Sequence, residues 1–94
     1  MLTPEQLLAR ITAITSITPE QLRSEVRFYE VCVARHIFIY LARKSGLTYR
    51  EITPWVNRNH PALVHSVLVV KNGLDCGDKM IINLIKKIED YENL

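Results

Sequence analysis

The chain predicts an all-α fold, a compact bundle of about five to six helices that contains a helix-turn-helix, and three observations carry that prediction. Helix-capping signals recur along the 94 residues, apolar residues repeat between them at three- and four-residue spacing, and strand signals are nearly absent. With 48% hydrophobic residues, the chain is expected to build one domain over 1–94 around a modest core.

The elements follow in order. The pentapeptide TPEQL occurs at Thr3–Leu7 and again at Thr18–Leu22, and each copy marks a helix start. Thr3 and Thr18 are caps, Pro4 and Pro19 occupy the first helical position where a missing N–H is harmless, and Gln6 and Gln21 reach back to complete capping boxes. The first helix runs to about Ile14 with Leu7, Leu8 and Ile11 inward, and the second turns into a loop near Arg27. A long helix spans about Phe28 to Lys44, apolar on most sides, with His36, Tyr40 and Arg43 on one stripe read as facing phosphates. Gly46 ends it.

The stretch Thr48–Val67, TYREITPWVNRNHPALVHSV, reads as two short helices joined by a polar turn. Thr48 caps the first, and Glu51 sits three residues on, where its carboxylate reaches the cap's amide. Pro54 lies inside that helix and is expected to kink or shorten it. Asn57, Arg58 and Asn59 form the turn, and Pro61 places the start of the second helix near His60. Leu63, Val64, Val67 and Val70 make its inward stripe, which leaves Asn59, Pro61, Ala62, His65 and Ser66 on an edge that a DNA major groove admits. His60 is read either as a DNA contact or as a helix cap, and His65 either as a contact or as a half-buried polar residue. Asn72–Asp78 reads as a loop. Met80–Tyr91 then forms a closing helix with Met80, Ile81, Leu84, Ile85 and Ile88 inward.

Charge sharpens the picture. The formal net charge is only +2, but residues 31–74 hold six Lys or Arg against the single acid Glu51, while 1–30 and 75–94 are each net acidic. Positive charge therefore gathers on the segment with the two-helix motif. Other classes are excluded or disfavoured. There is no Gly-rich phosphate loop with lysine and no serine or cysteine nucleophile signature, so neither an enzyme nor ATP binding is expected, and no cofactor or small-molecule substrate. Cys32 and His36 lie one helical turn apart, but two ligands fall short of a zinc site. Two cysteines without a secretory segment fit a reduced, cytoplasmic setting, and no apolar run is long enough to span a bilayer.

The residues RNHPALVH resemble the recognition signature of the C-terminal DNA-binding domain of the bacterial replication initiator DnaA, a Trp-repressor-like helix-turn-helix. That signature reads Gly-Gly-Arg-Asp-His-Thr-Thr-Val followed by a second histidine, and Arg58, His60 and His65 match it in spacing. VCVARHIFIYLAR resembles the family's long helix, which places Arg35 and Arg43 at basic positions, and ITSITPEQLRSEVR resembles the segment before it, which places Arg27 on the minor-groove arginine. The resemblance implies sequence-specific binding of double-stranded DNA at origin-like or regulatory sites, with the second helix in the major groove. Together with the residue reading above, the candidate contacts are Arg58, Asn59, His60, Pro61, Ala62 and His65, with Arg27, Arg35, His36, Arg43, Thr48 and Arg50 toward phosphates or the minor groove. The chain departs from the pattern where Asn59, Pro61 and Ala62 replace the family's Asp and two Thr, so its preferred sequence should differ from the initiator's box. Ala62 is suited to a thymine methyl. Glu25, Val26 and Glu30 weaken the basic loop, and Leu68 and Val69 replace late basic residues. These losses keep open a second reading, a helical adaptor that uses Tyr49, Trp55 and Val69 against a replication or regulatory protein.

Overall fold

A computed structural model of the protein describes residues 2–91. Its helices are α1 (Pro4–Thr15), α2 (Pro19–Arg23), α3 (Tyr29–Lys44), α4 (Tyr49–Val56), α5 (His60–Asp75) and α6 (Lys79–Glu89), and the described residues contain no strand. The starts follow the local chemistry. Thr3, Thr18 and Thr48 each accept from the amide three residues on, while Gln6, Gln21 and Glu51 return a bond to the cap's own N–H. The stops are equally local. Gly46, with φ 105°, and Gly77, with φ 75°, each follow a helix end in the left-handed region, where a side chain would be strained. Around them Leu47 N–H donates to the Ala42 carbonyl and Asp78 N–H to the Gly73 carbonyl, closing Schellman motifs on α3 and α5.

α3 is the hub, packing against each of the other helices. Phe38, Ile37 and Ile39 of α3 are fully buried with Leu7 and Ile11 of α1, Leu22 of α2, Ile52 and Val56 of α4, Leu63 and Val70 of α5, and Ile88 of α6. Each such side chain contributes roughly 1.5–3 kcal/mol by leaving water, which sets α5 firmly on α3. Buried arginines finish the helix ends. Arg10 donates to the carbonyls of Ile88 at 2.9 Å and Glu89 at 3.3 Å, placing a cation on the electronegative end of α6.

Four features differ from the sequence reading. α5 runs on to Asp75, so the loop expected over Asn72–Asp78 shrinks to its last residues. Gly77 is the stop, whereas Gly73 stays helical with α6 passing close beside it: a Cβ there would lie 2.5 Å from Ile81 Cδ1. Pro54 does not end α4. The helix continues to Val56 and stops because Asn57 turns left-handed at φ 52°. Ser66 is buried rather than on the outer edge of α5, and Met80 is partly exposed rather than inward.

Candidate nucleic-acid interface

α4, its turn and α5 form the helix-turn-helix. Asn57 takes the left-handed conformation that ends α4, and its N–H donates to the Thr53 carbonyl at 2.8 Å. Asn59, rather than His60, caps α5: its Oδ1 accepts from the Ala62 amide at 3.1 Å. The exposed edge of α5 then presents His60, Pro61, His65 and Leu68, with Ala62 partly exposed among them. Leu68 is 51% exposed, a large apolar side chain in open solvent on the same face as Pro61 and His65.

Two of the expected contacts have another occupation. Arg35 was expected at a basic DNA-facing position, but it is buried at 5% exposure. Its guanidinium donates to the carbonyls of Leu22, Gln21, Ser24 and Val26 at 2.8–3.2 Å, which consumes the fork that a phosphate would need. Burial first, and then the nearby Arg58 charge, lower its pKa; the guanidinium remains charged at neutral pH. Arg58 donates to the Val56 and Asn57 carbonyls and, at 2.7 Å, to the Ser24 carbonyl. Ser24 thus receives both arginines. The loop between α2 and α3 is tied through it to the turn of the helix-turn-helix, and exposed Arg27 lines a recess of about 330 Å³ with Glu25, Asn57 and Arg58.

His36 also faces inward more than the stripe suggested. Its Nδ1 lies 2.8 Å from Ser66 Oγ, and Ser66 Oγ lies 3.1 Å from the Ala62 carbonyl. The Ser66 hydroxyl thus links the His36 ring on α3 to the Ala62 carbonyl on α5. Burial, then the charges of His65 and Arg35, lower its pKa from the ordinary 6.5. His65 meets it edge-on at 6.2 Å between ring centres.

Tyr49 is a junction the sequence reading assigned to an outer apolar surface. Arg43 lies 5.1 Å above its ring and His60 meets it edge-on at 4.9 Å, so the end of α3 and the starts of α4 and α5 converge there. Beside it a groove of about 450 Å³ is lined by Tyr40, Arg43, Lys44, Tyr49, Val67 and Lys71. Three cations and no acid line it, a composition suited to an anion. Lys44 also reaches Glu89 at 3.1 Å on the exposed surface. Lys71 was visible in the sequence only as part of the charge count. Thr48 and Arg50 are exposed at the start of α4, with the Thr48 hydroxyl engaged in the cap. Backbone and side-chain hydrogen bonds from Thr48 hold the Glu51 carboxyl below its ordinary pKa. No group of three metal-ligating side chains and no membrane-spanning helix occurs among the described residues.

A bundle that seats a second, exposed-edged helix behind a short turn is a helix-turn-helix domain. The chain belongs to the bacterial DnaA protein helix-turn-helix family, whose model matches residues 4–70. That match runs from the start of α1 into α5 and leaves α6 outside. Similar proteins include the chromosomal replication initiator protein DnaA of Thermotoga maritima, 33% identical over 87 residues that cover 89% of this chain and 19% of the relative. The DnaA of Pseudothermotoga lettingae is 28% identical over 85 residues with the same coverages, and that of Thermosipho africanus 27% over 86 residues, covering 90% and 20%. The chain therefore spans about a fifth of the length of these relatives. No solved structure matches it significantly.

Proposed function

We propose that the chain binds double-stranded DNA sequence-specifically, at origin-like or regulatory sites, by inserting the N-terminal half of α5 into the major groove with Arg27 in the adjacent minor groove. The observation that carries this reading is the division of α5: Leu63, Ser66, Val67 and Val70 are buried, while His60, Pro61, His65 and Leu68 stand clear on one accessible edge. Around that edge the exposed cations Arg27, Arg43, Arg50 and Lys71 serve phosphates and the minor groove. Arg58 acts differently, holding the turn in place for its neighbours.

The test is retention of the purified chain on a pool of randomised duplexes at low and moderate salt. About four phosphate contacts give a log–log salt slope of roughly −4, together with enrichment of a motif that His65→Ala weakens. A second reading has its own support. Phe28 and Tyr29, at 71% and 64% exposure, are the most exposed large apolar side chains described and would suit a protein partner. Absence of duplex retention even at low salt would favour that adaptor reading, whose affinity for a protein would depend little on ionic strength.

A further inference from the structure

Some of the polar groups at the start of α5 have partners inside the protein. Asn59 Oδ1 holds the Ala62 amide, the His60 ring packs edge-on against Tyr49, and Ser66 is buried between His36 and the Ala62 carbonyl. Beside the exposed rings of His60 and His65, the outward edge carries an apolar set. Pro61, His65 and Leu68 follow one another at spacings of four and three residues, so they share one face, with Ala62 beside them. Pro61, Ala62 and Leu68 carry no hydrogen-bonding side-chain group, and Leu68 leaves half its surface in water with no protein neighbour to cover it. Hydrogen bonds to base edges cannot come from these three positions. The one distinct apolar group on the floor of the major groove is the 5-methyl of a pyrimidine. From Pro61 to Leu68 the helix advances roughly 10 Å at 1.5 Å per residue, the length of about three base-pair steps.

We propose that Pro61, Ala62 and Leu68 form an apolar reading strip that recognises a short run of pyrimidine 5-methyl groups, supplied by thymine, and so set the sequence preference of this chain. The inference rests on the major-groove reading above and gives it a chemical target. His65, the polar member of the face, fixes the register of the run. Leu68 closes its far end, where an exposed leucine gains by covering a methyl and loses by facing bare cytosine.

The experiment compares two randomised duplex pools, one made with thymidine and one with deoxyuridine in its place, which differ only in the 5-methyl. A third pool with 5-methylcytosine replacing cytosine separates the source of the methyl from its chemistry. Full-length wild type and Leu68→Ser, with helical content checked by circular dichroism, are bound to each pool. Tighter binding to thymine than to uracil duplexes is expected, by about fourfold for each methyl the strip covers. Leu68→Ser should lose about one such factor while still binding the uracil pool as wild type does. Equal affinity of wild type for thymine and uracil pools overturns the strip and leaves DNA binding standing. Rescue of the uracil pool by 5-methylcytosine to the full thymine level keeps the methyl and overturns thymine as its source. Failure to bind any pool at low salt overturns the major-groove reading and the strip with it.

Discussion

Replacing Arg35 with methionine separates the two occupations open to this residue, phosphate contact and internal brace. Methionine keeps much of the apolar stem and removes the guanidinium that four backbone carbonyls share. A hydrogen bond to a charged group contributes roughly 1.5–3 kcal/mol taken singly. The four do not add, because the variant also avoids desolvating a cation, and carbonyls at the loop edge regain water. A net loss of about 3 kcal/mol is expected, the size of leaving one or two buried carbonyls without a donor. In a chain of 94 residues that lowers Tm by on the order of 15 °C. Urea unfolding followed by helical circular dichroism gives the free energy, and duplex affinity is measured where both proteins remain folded. Arg35→Lys should recover little, since an ammonium cannot span carbonyls that the planar fork reaches together. A loss of less than about 1 kcal/mol accompanied by a large fall in duplex affinity would refute the brace and return Arg35 to the phosphates.

Three further outcomes follow from the structure. His36 has a lowered folded pKa, so the unfolded chain binds the extra proton; stability is full above about pH 6.5 and falls as pH drops below it. Urea midpoints between about pH 8 and pH 5 should show that slope in wild type and lose part of it in His36→Gln; an unchanged slope would remove His36 as its source. Gly73→Ala gains up to about 1 kcal/mol in helix propensity but must displace the terminal Cδ1 of Ile81, so it should be close to neutral alone and couple favourably, by about 1 kcal/mol, with Ile81→Val in a double-mutant cycle. Asn57→Gly should be within a few tenths of wild type, whereas Asn57→Ala should lose about 1 kcal/mol, because only the alanine is strained at φ 52°; equal unfolding midpoints for the two variants would contradict this.

What was legible in the sequence was local. The Thr-to-Gln and Thr-to-Glu boxes at Thr3, Thr18 and Thr48 act over three residues, so the starts of α1, α2 and α4 could be read directly. The turn Asn57–Asn59 and the start of α5 at His60 were readable for the same reason. The long-range ties were not. Arg35 reaches carbonyls 9–14 residues back and Arg58 one 34 residues back, and nothing near either arginine distinguishes a brace from a DNA contact. Gly73 and Gly77 look alike as helix breakers until α6 is seen to pack against the first. Ser66 looked outward because serine is polar, but His36 gives it a partner inside. Of the residues read on the edge of α5, Ser66 alone is buried.

The shared carbonyl of Ser24 bears on the entropy of any association that uses Arg27. A free loop of this kind loses about 1–2 kcal/mol per residue when a ligand orders its backbone. Here Arg35 and Arg58 order that backbone during folding, holding Gln21 through Val26 before any ligand arrives. A partner that engages Arg27 and α5 together meets two elements already fixed at a set span, so fewer contacts suffice for a given affinity. The same rigidity limits adjustment, and a duplex whose grooves do not match that span gains one element at the expense of the other.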